Sequence, residues 1–207
     1  MGRAAEMDAP AESRHPRENT PTSAGRYKLR LRPEPNIVHL PGVYRSKDLI
    51  VPELRNDIAA CAKGENPWPL FVYGSTGVGK TCAALCLVDW SGGSYYTCNE
   101  LLSVVSQAQK GTLRGKQYGA KLSEEALWEE WARMPLFILD ELGSREKVGD
   151  FVYNTTKQLI DIRAGRPLIV ISNLDLPTLA KLYDDRLTSR LAAGTVVEVL
   201  GADRRLT

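Results

Sequence analysis

The stretch GSTGVGKT, Gly74–Thr81, has the residue types and spacing to hold a polyphosphate. It matches G-x-x-x-x-G-K-[ST] in full, with the apolar run PLFVY before it and the helical stretch TCAALCLVDW after it. The glycines let the backbone turn so that successive N–H groups face the phosphates, and the following helix adds its positive N-terminal end. In this pattern Lys80 reaches the β- and γ-phosphates and the Thr81 hydroxyl holds Mg²⁺. The expected cradle is Gly74, Ser75, Thr76, Gly77, Val78, Gly79, Lys80, Thr81 and Cys82. Its expected ligands are a nucleoside triphosphate and Mg²⁺.

Three further stretches carry groups that could act on such a ligand. In LFILDELG, Asp140 ends a continuous apolar run and is placed to join Thr81 in the Mg²⁺ shell. Glu141 follows directly, where a carboxylate can orient and deprotonate a water for attack on the γ-phosphate. That pairing favours hydrolysis over transfer to a small acceptor. In LIVISNLDLP, the Asn173 amide stands at the end of another apolar run, placed to read the γ-phosphate and help position the water. In YDDRLTSRL, Arg186 and Arg190 are four apart and share one face of a helix. Two readings of them stand. They pair with Asp184 or Asp185, at well under about 1 kcal/mol for an exposed pair. Alternatively they reach a neighbouring chain's phosphates, an effect of about 10³–10⁵ in rate in P-loop GTPases. Their place, past the Asn173 run and before the last strand, favours the second.

These groups need a scaffold that brings distant strand ends together. PLFVY, SYYT, LFILD, PLIVIS and TVVEVL read as strands, and helical stretches alternate with them. LFILD and PLIVIS are unbroken apolar runs, which suits strands buried on both faces of a parallel sheet. The alternation predicts an α/β layered fold. VPELRNDIAACAKG, NELLSVVSQAQKG, EEALWEEWARM and FVYNTTKQLIDIRAG supply helices. Two hundred and seven residues suffice for one substantial core. A net charge of +2 restricts any nucleic-acid contact to a local patch. No run approaches the roughly 18 apolar residues of a membrane span, and no secretory signal core opens the chain, so a cytoplasmic location is expected. Cys61, Cys82, Cys86 and Cys98 lack the C-x2-C spacing and histidine partners of a zinc site, so they read as buried, reduced thiols.

Taken in order, GSTGVGKT, LFILDELG, VISNL and DDRLTSRL resemble an AAA+ ATPase. More narrowly they resemble the DnaC-type helicase loaders and IstB-type transposition ATPases, over about residues 45–206. The resemblance implies a P-loop NTPase fold with a five-stranded parallel sheet flanked by helices, and an oligomer in which Arg190 acts in trans on the neighbour's ATP. Arg186 matches the arginine one turn earlier. Only GADRRLT follows TVVEVL, so no C-terminal helical lid is expected, and Arg204 or Arg205 would replace the arginine such a lid provides. Residues 45–207 would then be the ATPase domain. Residues 1–44 are expected to be a disordered or extended N-terminal segment, too short and polar for the separate helicase-gripping domain of the loaders, that would serve as a partner-binding arm. Within it, RYKLRLR reads either as a short basic arm or strand or as a solvated linker.

The implied activity is ATP hydrolysis that places a replicative helicase, or another DNA-bound protein, on single-stranded DNA. Lys110, Arg114, Lys116 and Lys121, with Tyr118 among them, lie in a segment that faces the centre of the assembly in these ATPases. They read either as a strand-tracking patch or as a solvated loop. Trp68 covers a base or, the preferred reading, packs. Two alternatives stand beside the loader: an IstB-like helper ATPase on duplex DNA, and a P-loop kinase of a small molecule.

Overall fold

The computed structural model describes residues 27–29, 52–114, 121–145 and 147–203. Helix α1 (Pro52–Lys63) leads into β1 (Leu70–Tyr73), α2 (Lys80–Ser91), β2 (Ser94–Thr97) and α3 (Cys98–Gln109). Then come α4 (Glu124–Arg133), β3 (Phe137–Leu142), α5 (Asp150–Ile162) and β4 (Leu168–Ser172). The chain continues through α6 (Leu176–Leu182), α7 (Asp185–Ala192) and β5 (Thr195–Glu198). The five strands form one sheet in the order β2-β3-β4-β1-β5, and every pairing is parallel. Parallel neighbours cannot be joined by a tight hairpin, so consecutive strands are linked by crossovers that pack helices on the sheet. The expected five-stranded parallel sheet flanked by helices is what the chain forms. No helix follows β5 among the described residues.

Strand alternation divides the core between the two sheet faces. Leu70, Val72, Ile138, Ile169 and Ile171 point to one side, under α1 and α2. Phe71, Phe137, Leu139, Leu168 and Val170 point to the other, under α3, α4, α5 and α7. Because β1, β3 and β4 are interior strands with side chains buried on both faces, they read as unbroken apolar runs. Leu29 also enters the first side: it is buried, and its N–H donates to the Ala62 carbonyl at 2.8 Å. The Tyr27 carbonyl accepts from Trp68 Nε1 at 3.1 Å. At Tyr27–Leu29, therefore, the basic segment is docked on the domain. Trp68 packs beneath it, with 4% of its surface exposed, and is not open to stack on a base. Residues 1–26 and 30–51, which hold the rest of the N-terminal segment and the start of the expected ATPase domain, lie outside the described residues, as do Lys116, Tyr118, Arg204 and Arg205.

Side-chain caps set several helix starts. Thr97 Oγ1 accepts from the Glu100 N–H at 3.2 Å while Glu100 Oε2 accepts from the Thr97 N–H at 2.8 Å, a reciprocal capping box on α3. Asp175 caps α6 and Asp184 caps α7 through the N–H groups of Thr178 and Leu187. At the other end of α4, the buried Arg163 guanidinium donates to the carbonyls of Trp131, Ala132, Met134 and Pro167. Burial pushes its pKa down to about 9, still a cation at neutral pH. A cation at a helix C-terminus suits both the dipole and the orphan carbonyls. The sequence reading runs the preceding helix through IDIRAG, whereas α5 stops at Ile162 and frees Arg163 for this role. It also leaves LPTLAKL unassigned, although Asp175 followed by Pro177 is a helix-start signal.

Candidate nucleotide site

The glycines of the first motif adopt backbone conformations that side chains resist. Gly74, Gly77 and Gly79 have φ of 142°, 82° and 99°. A Cβ on Gly74 would collide with the Val199 carbonyl, and one on Gly77 with the Asp203 carboxylate. The turn between β1 and α2 is thus glycine-dependent for space as well as for φ. It ends with the first residue of α2, Lys80, whose neighbours Gly79 and Ala83 close the helix's first hydrogen bond at 3.0 Å.

Lys80 is buried, with 7% of its surface exposed. An ammonium there is costly unless its donors are met. Nζ donates to the carbonyls of Gly74 at 2.8 Å and Ser75 at 2.7 Å, and to Asn173 Oδ1 at 2.9 Å. The third contact joins residues from two motifs: Asn173 follows β4, which is hydrogen-bonded to β1. The sheet order makes this possible, since β1 and β4 are neighbours although Lys80 and Asn173 are separated by 93 positions.

Thr81 and Asp140 meet in the same way. Thr81 Oγ1 donates to Asp140 Oδ2 at 2.6 Å across 59 positions. Asp140 shares the sheet face of Ile138, two residues earlier, which is the face that α2 covers. Its carboxylate is buried and takes two more donors: the Glu141 N–H on Oδ1 at 2.7 Å and the Tyr95 hydroxyl on Oδ2 at 3.0 Å. Burial first, then the Asp140 charge, push the Tyr95 phenol above its ordinary pKa, so it is a protonated donor. Hydroxyl and carboxylate oxygens side by side suit a hard cation. Thr81 and Asp140 therefore fit Mg²⁺ as its residue contacts, with phosphate and water completing a shell that needs few protein ligands.

Glu141 differs from its neighbour in every respect. It is exposed and has φ of 61°, in the left-handed region. It sits in a bulge where the β3–β4 register slips between Leu139 and Leu142. One extra residue in a strand re-aims the side chains around it. Here the bulge separates the buried Asp140 from an adjacent carboxylate that faces outward. Such strain in a non-glycine residue concentrates at functional sites.

Arg186 and Arg190 lie apart from this cluster. Helix α7 buries Leu187 and Leu191 on the sheet face opposite α2. Arg190 pairs with Asp161 of α5, and its Nη1 donates to the Arg186 carbonyl at 2.9 Å. Burial pushes Asp161 up, but hydrogen bonds from Lys157 and Arg190 outweigh it and hold the carboxyl below the usual range. Asp184, considered as an arginine partner on sequence grounds, instead accepts from the Tyr153 hydroxyl at 2.7 Å and caps α7. Arg186 is exposed. Of the basic segment, Lys110 is exposed at the end of α3, and Arg114 and Lys121 face each other in an isolated antiparallel bridge. Tyr95, Asp161 and Tyr153 carry no signal in the sequence, since their partners lie on other elements.

No protein-family model and no curated protein sequence matches the chain. Its fold, however, is similar to solved structures. Among them is a DNA replication initiation factor, with TM-score 0.57 and 20% identity, over 78% of this chain and 51% of that one. Another is the replication initiator DnaA bound to AMPPCP and single-stranded DNA, with TM-score 0.55 and 20% identity, over 72% and 45%. A third is DnaI, with TM-score 0.53 and 20% identity, over 74% and 82%. The chain has the AAA+ P-loop fold. It spans about half the length of the initiators it matches.

Proposed function

We propose that this chain binds ATP with Mg²⁺, hydrolyses it, and works as an oligomer in DNA replication, placing a replicative helicase or another DNA-bound partner on single-stranded DNA. The observation that carries the reading is the convergence at the C-terminal ends of the central strands of the phosphate loop, Lys80 with Asn173 and Thr81 with Asp140. Lys80 would exchange the carbonyls of Gly74 and Ser75 for phosphate oxygens, while Asn173, already at its ammonium, would meet the γ-phosphate. Glu141, aimed outward beside Asp140, would take the proton of the attacking water. Mg²⁺, held by Thr81 and Asp140, would supply charge neutralisation for the phosphates.

Arg190, with Arg186 one turn before it, would complete the site of the adjacent subunit. Its location on the opposite sheet face from α2 supports an action in trans. Lys110, Arg114 and Lys121, with Lys116, would contact the nucleic acid; the bridge that pairs Arg114 with Lys121 gathers two cations at one place. Residues 1–44 would act as a partner-binding arm on an ATPase domain of residues 45–207. The chain at Asp203 passes beside Gly77, which supports Arg204 or Arg205 as a further nucleotide contact. DnaA bound to AMPPCP and single-stranded DNA supports the same ligand classes for this fold.

A mixing experiment tests the assembly. Arg190→Ala and Lys80→Ala proteins, each nearly inactive alone, are combined with and without single-stranded DNA. Recovery of ATPase activity in the mixture is expected, because intact arginines then meet intact phosphate loops. Full activity of Arg190→Ala alone would leave it a surface ion-pair partner of Asp161 and remove the assembly from the account.

A further inference from the structure

The Asp140 carboxylate is more tightly held than the nucleotide reading requires. A carboxylate offers about four lone-pair positions. Three are filled from within the chain: Glu141 N–H on Oδ1, and Thr81 Oγ1 together with the Tyr95 hydroxyl on Oδ2. Two of these donors are part of the phosphate-site motifs. The third comes from β2, the strand at the sheet's edge, in a stretch with no nucleotide signature. A phenol on an edge strand has water within easy reach, yet this one turns inward to a buried charge.

The β2–β3 register explains how it gets there. Tyr95 pairs with Ile138 and Thr97 with Asp140, so Tyr95 stands one pleat before the carboxylate on the same sheet face. A tyrosine is long enough to span that offset, whereas a shorter hydroxyl side chain is not. Tyr96 projects to the other face and packs on Trp131 and Phe137, so the two adjacent tyrosines are not interchangeable.

We infer that Tyr95 is a positioning residue for metal binding at the nucleotide site: its hydroxyl locks the Asp140 carboxylate, which in turn fixes the Thr81 hydroxyl with its lone pairs turned towards the cation. This inference rests on the nucleotide reading above. The chain of contacts runs from Tyr95 to Oδ2 of Asp140 to the proton of Thr81 Oγ1, and leaves one position on Oδ1 for the cation's hydration shell. Groups that orient a metal's ligands from behind typically set its affinity by about 10–100-fold.

The test is Tyr95→Phe in the full chain, which keeps the ring and removes the hydroxyl. Binding of a fluorescent ATP analogue is titrated with Mg²⁺, alongside the same titration in EDTA. The inference expects unchanged analogue affinity in EDTA, and about a tenfold rise in the Mg²⁺ concentration at half-effect. Turnover at saturating Mg²⁺ should return close to the wild-type value. Superimposable Mg²⁺ curves for wild type and Tyr95→Phe would overturn the inference while leaving the nucleotide site standing. So would a loss of analogue binding that is equal with and without Mg²⁺, since that marks a merely structural hydroxyl. Wild-type binding of the analogue that ignores Mg²⁺ would also overturn the inference, and a wild type that binds no analogue at all would take the nucleotide reading down with it.

Discussion

Glu141 concentrates the tension between stability and chemistry at the scale of one residue. An L-residue in the left-handed region costs roughly 1–2 kcal/mol, and Asn tolerates that region better than Glu. Glu141→Asn is therefore expected to raise unfolding stability by about 0.5 kcal/mol, a part of that cost. Denaturant midpoints at unchanged slope measure it, and a fall in the midpoint would show that the conformation is not a strain. The residues proposed to act on the nucleotide carry signals in the sequence: Lys80 and Thr81 close the glycine-rich motif, while Asp140 and Asn173 end or follow apolar runs, and strand ends are where α/β sheets place ligands. Tyr95 was not legible, because SYYT gives no sign of which tyrosine faces α2 until the strand's neighbours are known. Asp161 was hidden for a related reason: its partner Arg190 is 29 positions away on another helix.

At the scale of the element, α7 decides whether two arginines have a fixed address. The helix has only eight residues, too short to stand without packing and caps. Leu187 and Leu191 bury its inner face, while Asp184 accepts from the Leu187 N–H and from Tyr153. The Tyr153 hydrogen bond first, then the Leu187 N–H, hold the Asp184 carboxyl below its ordinary value of 3.8. A carboxylate whose pKa is lowered by folding contributes its full stabilisation above the unfolded value and loses it as the pH falls through the folded one. Asp184→Ala is expected to cost about 1 kcal/mol near pH 7, as for other N-caps. Asp184→Asn should keep most of the cap at pH 7 and flatten this loss below pH 4, roughly the unfolded pKa of Asp. Urea melts from pH 7 down to pH 3 check both, and an Asp184→Ala protein as stable as wild type would show that packing alone holds α7. The four-residue spacing of Arg186 and Arg190 marks this helix in the sequence, whereas the seven residues of α6 are too few for a periodic signal.

At the scale of the whole molecule, the site is a product of strand order. Placing β4 between β1 and β3 brings Asn173 to Lys80, and α2, laid over the same face, brings Thr81 to Asp140. Motif order along the chain is enough to suggest the α/β class, but not which strands touch. The pairing depends on contacts between segments tens of residues apart, which local propensity does not encode. The central claim is that these strand ends form a site for hydrolysing ATP. It is tested most directly by equilibrium ATP binding and steady-state phosphate release for wild type and Glu141→Gln, measured side by side. Gln keeps the size of Glu and its left-handed strain but cannot take a proton. The account predicts ATP bound by both proteins, with turnover reduced at least about 10²-fold in Glu141→Gln, the contribution of a positioned general base. Equal turnover in the two proteins, or a wild type that binds no ATP, would contradict it.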